Sequence, residues 1–174
     1  MGTFPPSTPP PRVRHVLERI TLQIASSLDL QPVLTTITQG LVEEVDAAFA
    51  RIWLLGPGDL CAGCYKAADC VNRDRCLHRE ASAGLYANLN GEYRRIPLGA
   101  LTIGTIAQGS GSIYTNDVLG DGRLPNKQWM KDNGLHSFAG HPLKFRGEVL
   151  GVVAMFGRRQ LSEEEFARSA VFAR

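Results

Sequence analysis

The first regular pattern in the chain is helical. Residues 1–11 are rich in proline, show no hydrophobic periodicity and are expected to form a disordered tail. Within 12–28, and again after Asp29, apolar residues recur every three or four positions, which predicts two amphipathic helices. Asp29 is the expected N-cap of the second helix, with Pro32 in its first turn. Each helix needs an apolar surface to cover.

That surface is predicted to be a sheet. Five runs have the pattern of β-strands: 48–55, 80–86, 112–115, 137–145 and 148–156. The last two are joined by Arg146-Gly147, which predicts a hairpin. Short helices are expected at 101–108, ended by Gly109, and around Trp129, ended by Gly134. This order predicts an α+β fold, with a central antiparallel sheet and helices mainly on one face.

A last helix is predicted from Ser162 onward. Ser162 and Glu165 have the spacing of a capping box, in which each satisfies a backbone N–H of the other. The helical pattern continues to Arg174. We therefore expect 162–174 to be the start of a longer helix.

All four cysteines lie in 56–79, a segment predicted to be inserted between the first two strands: Cys61, Cys64, Cys70 and Cys76. The first two form a C-x2-C pair that can present both sulfurs to one ion. The segment holds few large apolar residues, so a crosslink or a bound metal is the expected source of its order, and the metal is favoured. Disulfides and unligated thiols are the alternatives. His78, two residues beyond Cys76, is expected to be exposed.

Composition excludes several classes of protein. The 174 residues suit one domain, and the net charge of +2 gives no reason to expect a nucleic-acid partner. No apolar run approaches the roughly 20 residues of a membrane span. The N-terminus lacks a signal-peptide pattern, so a cytoplasmic location is expected, where clustered cysteines indicate metal or redox chemistry. The G-x4-G spacing of Gly99 and Gly104 is followed by Thr105, which excludes a phosphate-binding loop.

Two segments resemble the GAF family of sensory domains: IPLGALTIGTIAQGSGSIYTNDVLGD (96–121) and GLHSFAGHPLKFRGEVLGVVAMFGRRQLSEEEF (134–166). The resemblance extends over 12–174 and implies a single domain with a ligand pocket on one face of its sheet. It also implies a non-enzymatic sensor of a bacterial signalling protein, such as a histidine kinase or a transcription regulator. Such a domain would bind a small molecule, form a homodimer through its terminal helices, and signal through the helix at 162–174 to an output domain.

The cysteine segment resembles an insertion found in a subgroup of bacterial GAF domains. The resemblance implies an iron–sulfur cluster at Cys61, Cys64, Cys70 and Cys76, since four thiolates are the usual ligands of a [4Fe–4S] cluster. Zinc with four thiolates fits the ligand count equally well. The alternative function is that of a thiol enzyme resembling the reductases of free methionine sulfoxide.

Four aromatic residues could line a ligand pocket: Trp53, Tyr114, Trp129 and Phe138. At their strand and helix positions we expect ordinary core packing. His141 lies in the first strand of the predicted hairpin. The sequence assigns it no role, and its side chain could face either the pocket or solvent.

Overall fold

The computed structural model describes residues 29–174, and the tail and helix predicted at 1–28 lie outside the described residues. The described elements are α1 (Gln31–Glu44), β1 (Phe49–Pro57), β2 (Arg75–Gly84), β3 (Arg95–Pro97), α2 (Leu101–Thr105), β4 (Ile113–Thr115), α3 (Lys127–Asp132), β5 (Ser137–Phe145), β6 (Glu148–Gly157) and α4 (Glu163–Val171). A π-helical turn, Ile106–Ser110, continues α2.

The six strands form one antiparallel sheet in the order β3-β2-β1-β6-β5-β4. This confirms the predicted α+β fold. β5 and β6 form the expected hairpin, and its turn residues Arg146 and Gly147 both have positive φ, 50° and 85°. A two-residue turn with two positive φ angles matches the right-handed twist of the strands it connects.

Alternation along β1 gives the sheet two different faces. Ala50 and Ile52 point to one face, which α1 and α4 cover; we call this the packed face. Phe49, Arg51 and Trp53 point to the other, which we call the cavity face, where the short helices α2 and α3 lie. The two longest described helices therefore share one face, as predicted.

The second strand begins earlier than the sequence indicated. β2 starts at Arg75 instead of Glu80, because the end of β1 pairs with it as far as Pro57↔Arg75 and β3 pairs with it on the other side. The segment between the first two strands is present as expected, but Cys76 is the second residue of β2. His78 also lies in this strand.

Helix ends differ by one to three residues from the prediction. Leu30 is the N-cap of α1, and Asp29 instead accepts a hydrogen bond from the Gln31 backbone N–H at 3.1 Å. The capping box of α4 is confirmed, with Ser162 Oγ accepting from Glu165 N at 3.1 Å and Glu165 Oε2 accepting from Ser162 N at 2.9 Å. α4 ends at Val171, short of Arg174, because its last bonds are i→i+3 turns. Between residues 29 and 174, no helix is long and apolar enough to cross a bilayer.

Candidate ligand cavity and cysteine cluster

A cavity of about 380 Å³ lies on the cavity face, between the central strands and the layer formed by α2, α3 and nearby loops. Trp53, Trp129 and Phe138 line it. They also belong to the core on this face, so the core packing expected for them and the pocket role both hold. Tyr114 lies on the packed face instead, where its ring stacks on Phe166 at 4.6 Å.

Arg51 forms part of the cavity floor. Its guanidinium carbon lies 5.2 Å from the Phe49 ring centroid and 5.8 Å from that of Tyr86, and its Nε donates to Ser82 Oγ at 3.3 Å. Burial, with a smaller contribution from the positive charge of Arg79, lowers the pKa of Arg51 to about 10. In the sequence, Arg51 is visible only as a charged residue that interrupts the apolar run at 48–55.

Arg79 lies beside Arg51, on β2, and is only 5% exposed. Its Nε donates to Leu89 O at 3.0 Å and its Nη2 donates to Asn90 O, which ties it to the loop over the cavity. Burial lowers the pKa of Arg79 too. Sequence reasoning missed this residue because the predicted strand began one position after it. In residues 29–174, neither Arg51 nor Arg79 forms a salt bridge.

Two residues with unusual backbone angles also line the cavity. Leu101 has a φ of 55° and Asn126 a φ of 57°, a left-handed region that non-glycine residues seldom occupy. The Asn126 side chain donates to the Tyr93 hydroxyl, and the Tyr93 carbonyl accepts from Trp53 Nε1 at 2.9 Å. Backbone strain of this kind is concentrated at binding sites, which supports a functional role for the cavity.

The four cysteines line a second, small cavity of about 20 Å³ at the end of β1 and β2, together with Arg73 and Arg95. The four cysteines that the sequence groups in one segment thus also lie around one cavity. In the described chain no three of their sulfurs lie within 4.8 Å of one another. A tetrahedral zinc ion requires sulfurs about 3.8 Å apart. Four cysteine thiolates are suitable ligands for a metal. Zinc would require their sulfurs to lie closer together, and an iron–sulfur cluster would require a larger cavity.

A different group of three possible ligands is already close together: Asp59, Cys76 and His78, whose ligand atoms lie within 4.8 Å of one another. Asp59 is engaged by Arg95 through two 2.7 Å hydrogen bonds, which hold the pKa of this carboxyl well below its usual range. Burial raises the pKa of the Cys76 thiol to about 11.

The sequence predicted that His78 is exposed, and this prediction is wrong. Its side chain is 13% exposed, because its place on β2 lets Nε2 lie 2.7 Å from the Pro57 carbonyl oxygen. The ring thus lies close to the cysteine cluster.

His141 faces neither the cavity nor solvent. It is 3% exposed on the packed face, with Nδ1 2.9 Å from Ser112 Oγ and Nε2 2.8 Å from Ser169 Oγ of α4. Ser169 Oγ donates to the Phe166 carbonyl, so it accepts from His141 Nε2–H, and Nδ1 accepts from Ser112. Burial lowers the pKa of His141 to about 4, which keeps the ring neutral.

These features have the architecture of one domain family. The GAF domain family model matches residues 29–174, and the chain belongs to the GAF family. No curated protein matches the sequence.

Solved structures similar to this chain are distant in sequence. The GAF domain of a phosphoenolpyruvate-protein phosphotransferase from Coxiella burnetii is 19% identical, with a TM-score of 0.60 over 91% of this chain and 89% of that one. The A. aeolicus NLH2 GAF domain in an inactive state is 15% identical, with a TM-score of 0.58 over 91% and 86%. The type II free methionine-R-sulfoxide reductase of Thermoplasma acidophilum is 16% identical, with a TM-score of 0.61 over 83% and 86%. At these identities the likeness concerns the fold.

Proposed function

We propose that this domain is the sensory part of a bacterial signalling protein, a sensor kinase or transcription regulator, and acts in the cytoplasm. A small molecule bound in the 380 Å³ cavity is the signal, and the terminal helices carry it to an output domain. The observation that carries this proposal is the cavity itself, which is walled by side chains of the central strands. Its size falls in the range of small-molecule sites.

The central strands connect the cavity to the helices. On β6, Ala154 lines the cavity while its neighbours Val153 and Met155 belong to the packed face. The edge of the sheet formed by β4 and β5 is connected to α4. Tyr114 Oη donates to Leu161 O, just before the helix, at 2.5 Å, and His141 contacts Ser169 within it. A ligand that prefers one arrangement of these strands would therefore bias the position of α4.

The same helices carry apolar residues that a second copy could cover. Val33 of α1 and Val171 of α4 are 55% and 61% exposed. Phe172, just beyond α4, lies against Gly40 of α1, so the two helix surfaces are neighbours. We propose that the homodimer forms here. Sedimentation equilibrium should give a dimer that the double substitution of Val33 and Val171 by Glu converts to monomer.

A ligand screen combined with hydrogen exchange tests the sensor role. The probes are amino acids, nucleobases, and aromatic acids with their amides, each scored by thermal shift. A binder should slow amide exchange in β1 and β2 and also change exchange in α4. Ala154→Leu, which fills the cavity, should abolish the shift. Binding that leaves exchange in α1 and α4 unchanged would contradict a signalling role.

A second candidate function is a metal centre at the cysteines, because all four line one cavity beside Arg73 and Arg95. A bound metal ion would itself deprotonate the thiols that coordinate it. Cys61, Cys64, Cys70 and Cys76 would hold the metal, which would order the segment or respond to redox state.

Metal and acid-labile sulfide content, measured on protein purified without oxygen, tests this candidate. Iron with sulfide identifies a cluster, and zinc alone identifies a single ion. Cys64→Ser should lose the metal, whereas Val71→Ser, at a residue 97% exposed in the same segment, should keep it. Metal-free protein with oxidised thiol pairs would rule the centre out.

The thiol enzyme remains the alternative, supported by the fold it shares with the T. acidophilum reductase. Against it, none of the four cysteines lines the larger cavity. We expect no turnover of free methionine sulfoxide with a thiol reductant. Turnover that Cys61→Ser abolishes would establish the enzyme and replace the sensor proposal.

A further inference from the structure

We propose that the ligand of the large cavity is a small organic acid with an aromatic body, whose carboxylate is held by Arg51 and Arg79. This inference rests on the proposed sensor function and names the class of ligand that the cavity would take. Three observations carry it: the charge of the cavity floor, the free donors of the two guanidinium groups, and the character of the walls.

The floor of the cavity carries positive charge that no salt bridge among the described residues neutralises. Arg51 pairs with Ser82 across the β1–β2 ladder and Arg79 pairs with Trp53, so both side chains project from neighbouring positions on the same face. No carboxylate in residues 29–174 pairs with either one. Burying two like charges side by side is costly, and a bound anion would offset that cost.

Both arginines keep hydrogen-bond donors for a ligand. Arg79 uses Nε and Nη2 on the backbone carbonyls of Leu89 and Asn90, which fixes the group and leaves Nη1 without a partner among the described residues. Arg51 uses only Nε, which donates to Ser82 Oγ. Both of its terminal nitrogens are therefore also without a partner among the described residues. Guanidinium groups bind carboxylates through paired N–H···O bonds, and these donors are sufficient for one carboxylate.

The remaining walls favour an aromatic body. The cavity is lined mainly by aromatic and large aliphatic side chains, among them Trp53, Ile103, Trp129, Met130 and Phe138. Its volume is near the lower end of the range for small-molecule sites, which suits one ring with a short acid side chain. A phosphate ester carries more charge than a carboxylate, and burying that extra charge against largely apolar walls costs more. Among the described residues that line the cavity, Glu92 is the only acidic one, and it is exposed.

Matched acid and amide pairs test the inference on the unaltered protein. The probes are phenylacetate with phenylacetamide, indole-3-acetate with indole-3-acetamide, and phenyl phosphate, each titrated by calorimetry. We expect the best acid to bind about tenfold or more tightly than its amide, since one charge-assisted contact is at stake. Phenyl phosphate should bind more weakly than phenylacetate.

Charge-neutral variants locate the effect. Arg79→Gln and Arg51→Gln should each weaken binding of the acid about tenfold and remove its advantage over the amide. Arg168→Gln is the matched control, because Arg168 is exposed on α4 and pairs only with Glu164. The near-ultraviolet dichroism of each variant, together with its melting temperature, shows whether the fold is retained.

The inference is overturned if the amides bind as tightly as the acids, if phenyl phosphate binds best, or if none of the acids gives saturable binding to folded protein. Acid binding of unchanged affinity in a folded Arg79→Gln protein would also overturn it. The sensor proposal fails separately, when a bound ligand leaves hydrogen exchange in α4 unchanged. A neutral ligand that binds in the cavity and alters exchange in α4 would therefore overturn the inference about an acid ligand and still support the sensor proposal.

Discussion

The two faces of the sheet are built from the same strands but are packed differently. On the packed face, α1 and α4 cover small and aliphatic side chains of the strands, such as Ala50, Ile52 and Val153. On the cavity face, aromatic side chains and two arginines surround 380 Å³ of open space. The contrast separates a face that stabilises the fold from one that can bind a ligand.

The difference originates in the alternation of β1. Ala50 and Ile52 are fully buried under helices. Arg51 lies between them and points the other way, where the covering helices α2 and α3 have only five and six residues. Short helices and loops cannot fill the space over large aromatic residues, so a cavity remains. Function is therefore expected where the sheet is covered least.

The largest effect should come from breaking the packed face. Leu41 of α1 is 1% exposed, and Leu41→Ala should lower the free energy of unfolding by about 3 kcal/mol, through lost burial and the void left behind. Chemical denaturation measures it. Affinity for an aromatic acid should stay within about twofold, because Leu41 does not line the cavity.

Gln39→Ala is the control at an exposed position of the same helix, and it should change stability by less than about 0.5 kcal/mol. A loss at Leu41 no larger than the loss at Gln39 would contradict the packed character of this face.

The buried histidine of the packed face should give a pH dependence. The pKa of His141 is about 4 in the folded chain, below the ordinary histidine value of 6.5, so the unfolded chain binds the extra proton between these values. Stability is then full above pH 6.5 and falls as the pH drops towards 4. Between pH 7.5 and 5 the loss should be about 2 kcal/mol.

Denaturation curves of wild type and His141→Phe at both pH values measure this slope. The variant loses the contacts with Ser112 and Ser169, so its stability should be lower, but it should depend less on pH. An equal pH dependence in both proteins would show that the histidine is not the source.

A smaller effect is expected at the start of α4. Ser162→Ala removes the cap that satisfies the Glu165 backbone N–H and should cost about 1 kcal/mol, with faster amide exchange in the first turn of α4. Ser110→Ala, at an exposed serine without a side-chain hydrogen bond among the described residues, should be neutral. Identical exchange in the two variants would show that the cap does not hold this helix.

Features fixed by neighbouring residues were predictable from the sequence. The turn at Arg146-Gly147 and the cap at Ser162 each depend on a few adjacent positions, and both were confirmed. The grouping of four cysteines between the first two strands was also visible, because their spacing is local.

Features fixed by distant pairing were not predictable. The start of β2 at Arg75 depends on β1 and β3, so a strand signal beginning at Glu80 missed Arg79. The sequence does not indicate the environment of His141, because its partner Ser169 lies 28 residues away. The cavity depends on where side chains from several elements meet, which no single stretch of sequence contains.

The measurement that tests the central claim most directly uses the two described methionines, one on each face. Met130 lines the cavity, whereas Met155 is buried on the packed face. With methyl-labelled methionine and saturating phenylacetate, we expect nuclear Overhauser effects between the ligand ring protons and the Met130 methyl, and none with the Met155 methyl. Effects with Met155, or with neither methyl although the ligand is bound, would contradict the assignment of the cavity face as the binding face.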